Sequence, residues 1–201
     1  MPRKHLAAAT LVVAGTLTLG ACGGHDMSSM SGTGGSDSSS PSSSSDATAD
    51  FNDADVTFTT EMIPHHRQAV EMAELAETRA ESPEVKDLAI QIMNAQDPEI
   101  ETMTGWLTSW GKPVPEDMSG MDMSGSMPGM MSKDEMASLE NTSDADFDQM
   151  FLAMMVEHHQ GAIEMAKSEQ SSGMFPEAIA LAKQIESAQT DEIATMQALL
   201  R

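Results

Sequence analysis

Between residues 53 and 110 the apolar side chains fall at helical spacing. Phe58, Met62, Ala69, Met72, Ala73 and Ala76 recur so as to share one face of a helix, whose exposed first amides Asp53 or Asp55 can cap. Ser82-Pro83-Glu84 then reads as the cap, first-turn proline and first-turn acid of a second helix. Val85, Leu88, Ile92, Ala95, Ile100, Met103 and Leu107 form its inward stripe, and Gly111-Lys112-Pro113 stops it. A similar pattern returns from residue 143. Ser143 or Asp144 caps a helix through Phe151, Met155, Ala162 and Met165, Gly173 ends it, and Pro176-Glu177 opens the last helix. No stretch alternates with the period of a strand.

The return is a repeat. Residues 58–107 align with 151–200 without a gap, 93 residues apart, and 21 of the 50 positions are identical, which marks a duplicated unit. Two helical hairpins, 53–110 and 143–201, predict an all-α four-helix bundle with an approximate internal twofold axis. Residues 111–142 form the crossover. It contains Met118 to Met131, MSGMDMSGSMPGMM, with six methionines among Gly, Ser, Asp and Pro. That run has no period and reads as an unfolded linker. Because ordinary linkers are not rich in Met, its thioethers are candidates for capturing soft metal ions.

The chain start changes the picture of where the bundle resides. Residues 1–21 read as a signal peptide, with Arg3 and Lys4 before an apolar run from Leu6 to Leu19. Leu19-Gly20-Ala21-Cys22 resembles the bacterial lipobox, which makes Cys22 the lipidated first residue of the mature chain. The expected location is across the cytoplasmic membrane, held at the cell surface or periplasmic side by that anchor. The single cysteine is then consumed, leaving no disulfide and no thiolate metal site. Residues 22–52 are Ser, Gly and Asp, a flexible tether.

Charge narrows the partners. With 10 basic and 32 acidic residues the formal charge is −22, which argues against nucleic acid and against electrostatic docking on anionic lipid. Cations are the natural partners of such a surface. Sequence leaves the oligomeric state open.

The candidate chemistry lies where the repeat and the inward stripes coincide. His65-His66 and their counterparts His158-His159 straddle the buried face of the first helix of each hairpin. Glu99 and Glu192 fall on the inward side of the second helices, where a carboxylate needs a cation, a proton or a histidinium. Met62, Met154 and Met155 each precede a histidine by one helical turn, and Met103 and Met196 lie on the partner helices. Imidazole with thioether suits copper, above all Cu(I), with zinc or iron as alternatives. Glu71 and Glu164 point away from the stripe. Pro64 and Pro98 lie inside helices and should remove a backbone bond and kink them.

The stretches MIPHHRQAVEMA and MVEHHQGAIEMA resemble the signature of the bacterial family known as domain of unknown function 305, over about residues 53–201. That resemblance implies a ferritin-like bundle in secreted or membrane-anchored proteins, some associated with copper binding and tolerance. The Glu-x-x-His motif of ferritin-like di-iron enzymes is missing: Glu61 and His65 are four apart, and Met154 replaces Glu61 in the second copy. No nucleophile with a paired base and no phosphate loop appears. The favoured reading is a copper-binding lipoprotein, leaning away from an enzyme. A Cu(I) or Fe(II) oxidase on the same bundle and a metal-free envelope scaffold are the alternatives.

Overall fold

A computed structural model describes residues 50–116 and 127–201. The predicted signal peptide, Cys22, most of the tether and the stretch with Met118, Met121 and Met123 lie outside the described residues. The described part is all-helical: α1 (Asp53–Arg79), α2 (Pro83–Ser109), α3 (Lys133–Glu140), α4 (Asp144–Ser172) and α5 (Pro176–Leu199). Helix α1 packs along α2 and α4 along α5, the two hairpins meet through α1 and α4, and α3 touches both of these. No described helix is long and apolar enough to cross a membrane.

Local chemistry sets the ends. Asn52, rather than Asp53 or Asp55, caps α1: its side chain accepts from the amides of Ala54 and Asp55, while Asp55 accepts from the Asn52 amide. Ser82 caps α2 as expected. Gly111, at φ +66°, turns the chain so that the Lys112 amide donates to the Leu107 carbonyl at 2.8 Å. Ser143 occupies the cap position of α4 without a side-chain bond to an amide, and Asp144 is not the cap but its first residue. Helix assignment runs unbroken through Pro64 and Pro98.

Two departures from the expected bundle concern the crossover and one stripe. The crossover holds a fifth helix, α3, started by a Ser132–Glu135 capping box. Just before it, Met127, Met130 and Met131 are buried, so these three thioethers serve the core rather than an exposed linker. Ala95 and its counterpart Ala188 are exposed. The inward stripe of α2 runs Val85, Leu88, Ala89, Ile92, Gln96, Met103 and Leu107, stepping from Ile92 to a polar residue one turn on.

That step marks how the core is built. One apolar cluster holds Ala69, Met72, Ala73, Leu88, Ile92, Phe147, Phe151, Met155 and Met196. The other holds Phe58, Met62, Ile63, Met103, Leu107, Ala162, Met165 and Ile185. Between them along every long helix sit the buried polar residues: His65 and His66 on α1, Gln96 on α2, His158 and His159 on α4, Gln189 on α5. The repeat thus folds into two hydrophobic plugs separated by one polar belt.

Candidate metal centre

The belt is dry and poorly satisfied. All four imidazoles have 0% exposure, and His65 and His158 meet ring to ring across the α1–α4 contact, with centroids 3.8 Å apart and planes tilted by 42°. His158 and His159 lie 6.4 Å apart by the same measure.

Three of the four rings are held by one nitrogen. His66 Nε2 donates to Glu99 Oε2 at 2.7 Å, and His159 Nε2 donates to Glu192 Oε2 at 2.6 Å, each reaching from the first helix of a hairpin to the second. His65 Nε2 lies 3.0 Å from the Pro128 carbonyl. A carbonyl oxygen only accepts, and so does an ionised carboxylate, so these three imidazoles donate from Nε2, which leaves Nδ1 as the nitrogen a metal would take. Each Nδ1 is buried without a hydrogen-bond partner. His158 has neither ring nitrogen in a hydrogen bond, and Gln96 has neither amide atom in one.

Glu99 and Glu192 keep 20% and 19% side-chain exposure, so they stand at the rim of the belt. Their place on the inward side is as the helical spacing indicates, but their contact is with Nε2. Met62, Met103, Met155 and Met196 are fully buried in the plugs that flank the belt, and Met154 is partly buried beside one of them. Glu164 is exposed and Glu71 half-buried. Among the described residues no group of three or more His, Cys, Asp or Glu side chains is gathered to hold an ion.

Burial controls protonation here. His65 is driven down to about 3, first by burial and then by the charge of His66, against the opposing bond to Pro128. His158 is pushed well below the usual histidine range by burial, then by its three histidine neighbours, and a weak approach to the His65 backbone does not offset this. Both are therefore neutral near pH 7. A neutral imidazole with its remaining N–H held by a carboxylate or carbonyl is the usual state of a metal-binding histidine. The donor set, several imidazole lone pairs with thioethers in adjoining layers, fits a soft, weakly hydrated cation better than a hard one.

Residues 55–200 match the family described as domain of unknown function DUF305. The chain belongs to that family. Among solved structures, a DUF305 protein of Streptomyces coelicolor, inferred to be secreted, is 34% identical with a TM-score of 0.66, covering 73% of this chain and 91% of its own. A DUF305 fragment from Deinococcus radiodurans is 33% identical with a TM-score of 0.67, covering 74% and 96%. CopM in a Cu(II)-bound form is 36% identical with a TM-score of 0.64, covering 73% and 95%, and it has also been solved in Cu(I)- and Ag-bound forms. None of the curated proteins matches this chain.

The sequence reading missed the contributions of the crossover to this DUF305 centre. Gln68 donates through Nε2 to the Met131 carbonyl at 2.9 Å, and its Oε1 accepts from the Met131 amide at 2.8 Å. Pro128 supplies the carbonyl to His65. The signal available was a mismatch in the repeat: Gln68 aligns with Gly161, a long polar side chain against none.

Proposed function

We propose that this protein binds and buffers copper outside the cytoplasmic membrane, taking Cu(I), or Ag(I) as its chemical mimic, in the belt formed by His65, His66, His158 and His159. The observation that carries this reading is the set of buried Nδ1 atoms without a hydrogen-bond partner, on rings whose Nε2 is engaged by Glu99, Glu192 and the Pro128 carbonyl. An unbonded polar atom in a buried core costs about 1–3 kcal/mol, which a bound cation would relieve. In this role Glu99 and Glu192 orient the imidazoles and offset the charge of the ion, while Met62, Met103, Met154, Met155 and Met196 are the soft donors in adjoining turns. Copper is the cargo, and the copper- and silver-bound forms of CopM support the choice of ion.

Anaerobic titration of the purified protein with Cu(I) and Ag(I) against a competing chelator tests this. Changing all four belt histidines to alanine is expected to abolish tight uptake, whereas changing Met118, Met121 and Met123 to leucine leaves the belt's share intact. Equal uptake by parent and histidine variant defeats the reading. Oxygen consumption with turnover on re-aeration would instead assign an oxidase.

The anchored location follows from the lipobox-like Leu19–Cys22 and is in keeping with the inferred secretion of the Streptomyces coelicolor relative. With an excess of acid on its surface the protein needs acyl chains to stay at the bilayer. Cys22→Ala is expected to move it from the membrane to the soluble fraction. Unchanged membrane association would remove the anchor from the account.

A further inference from the structure

The internal twofold relates His66 to His159 and their partners Glu99 to Glu192, and the two hydrogen bonds agree to within 0.1 Å. It also relates His65 to His158, yet these two differ: His65 has the Pro128 carbonyl and His158 has no partner at either nitrogen. The difference comes from the crossover, which occurs once in the chain and so can serve one half alone.

The geometry of residues 127–131 shows how it is held. Met127, Met130 and Met131 are buried, and the Met130 amide closes a turn on the Met127 carbonyl at 3.4 Å. Gly129 stands at φ +74°, and a Cβ there would come within 2.7 Å of the Glu157 carbonyl and 2.9 Å of the His158 carbonyl. A Cβ on Gly161 would overlap the Pro128 carbonyl outright. The backbone of the segment therefore rests directly on the backbone of α4. On the other side Gln68 clamps Met131 through both its amide atoms. Gln68 and Gly161 occupy equivalent places in the two repeats, so one half grips the segment and the other makes room for it.

We propose that Met127–Met131 is a positioning strap: gripped by Gln68 and seated on Gly161, it fixes the tautomer of His65 through the Pro128 carbonyl and thereby sets how well His65 Nδ1 takes a soft monovalent cation. The inference rests on the copper-site reading for its last clause and on contacts alone for the rest. The strap does for His65 what Glu99 and Glu192 do for His66 and His159, with a neutral dipole in place of a charge. Groups that hold the far nitrogen of a ligating histidine typically govern 10- to 100-fold of metal affinity. Gln68 and Gly161 are accordingly positioning residues that touch no ion.

The test is a long-range proton–nitrogen spectrum of the imidazoles in the full-length protein without metal, joined to Ag(I) titration of the same samples. Two variants release the strap from opposite sides: Gly161→Ala pushes Pro128 outward, and Gln68→Ala frees Met131. The expected result is a single Nε2–H form of His65 in the parent, a mixture of both tautomers in each variant, unchanged His66 and His159 signals, and a loss of Ag(I) affinity of about tenfold or more. A His65 signal that stays the same in both variants overturns the strap's hold. A shifted tautomer with parental Ag(I) affinity overturns its effect on the ion. A parent that takes up no Ag(I) defeats the copper reading and the affinity clause with it, while the His65 spectra still decide the tautomer clause.

Discussion

Replacing His158 with leucine is expected to raise the melting temperature of the metal-free protein by roughly 5–10 °C while weakening its uptake of Ag(I). His158 is fully buried, neither ring nitrogen is hydrogen-bonded, and no other group depends on it for a partner. Leucine removes two unsatisfied polar atoms worth about 2–6 kcal/mol together, and a loss of about 1–3 kcal/mol from imperfect fit and the lost ring contact with His65 leaves a net gain of about 2–3 kcal/mol. For a domain of this size each kcal/mol shifts the midpoint by about 2–4 °C. The same substitution one residue later has the opposite sign. His159→Leu relieves one unbonded Nδ1 but leaves the Glu192 carboxylate, four-fifths buried, without the 2.6 Å bond it now accepts, and because an unpaired carboxylate costs more than an unbonded neutral atom the net is expected to be a loss of about 1 kcal/mol. His66→Leu does the same to Glu99. Thermal melts of His158→Leu and His159→Leu decide the matter: shifts in the same direction would mean that the belt is not divided into bonded and unbonded rings. A rise in stability coupled to a loss of binding is the pattern of a site kept for function at the expense of the fold.

The repeat makes the helices and the histidine belt legible in the sequence. A histidine pair on an inward stripe is ambiguous once, but its return 93 residues later in the same register located the belt, and the helical wheel put Glu99 and Glu192 on the correct side. What hydrophobicity could not supply was the one polar step within a stripe. Ala95, being apolar, belongs to the expected stripe with Gln96 only beside it, yet continuing from Leu88 through Ile92 by four residues reaches Gln96, which is the buried one. Roles also resisted spacing. Glu99 sits near enough to be a ligand or an orienting acceptor, and the 2.7 Å bond to Nε2 makes it the acceptor. The crossover was illegible because its order comes from backbone contacts. Gly129 and Gly161 look like linker and helix glycines until their mutual approach is seen, although Ser132-Lys133-Asp134-Glu135 did carry the sequence of a capping box.

Asp148→Ala and Asp55→Ala are each expected to cost about 3 kcal/mol, because these aspartates lock each hairpin loop to the other hairpin. Asp148, on α4, accepts from the amides of Glu81 at 3.1 Å and Ser82 at 2.9 Å, in the loop between α1 and α2. Its repeat partner Asp55, on α1, accepts from the amides of Met174 at 3.0 Å and Phe175 at 2.9 Å, in the loop between α4 and α5. Both are buried, and hydrogen bonds to an ionised group are worth about 1.5–3 kcal/mol each. The locks lie at opposite ends of a 27-residue helix, about 40 Å apart at 1.5 Å per residue, so the double variant should show nearly additive losses. The Asp55 lock has an acid neighbour. Asp55 faces Glu169, whose position in the first repeat is taken by Ala76. Burial, then the Asp55 carboxylate beside it, pushes Glu169 up to about 8. Burial also pushes Asp55 up, but the amides of Asn52, Phe175 and Met174 and the neighbouring Glu169 carboxyl together hold it below the usual carboxylate range. A carboxyl raised on folding stabilises fully below its ordinary value of 4.5, and that contribution is lost as pH rises through about 8. His65 and His158, depressed on folding, act in the other sense: their contribution is present above 6.5 and lost as pH falls. Stability should therefore peak near pH 6.5, and Glu169→Gln should remove the decline above it while leaving the acid side in place. Chemical denaturation of parent and variant from pH 5 to 9 measures this, and parallel curves above pH 6.5 would dismiss Glu169 as the source.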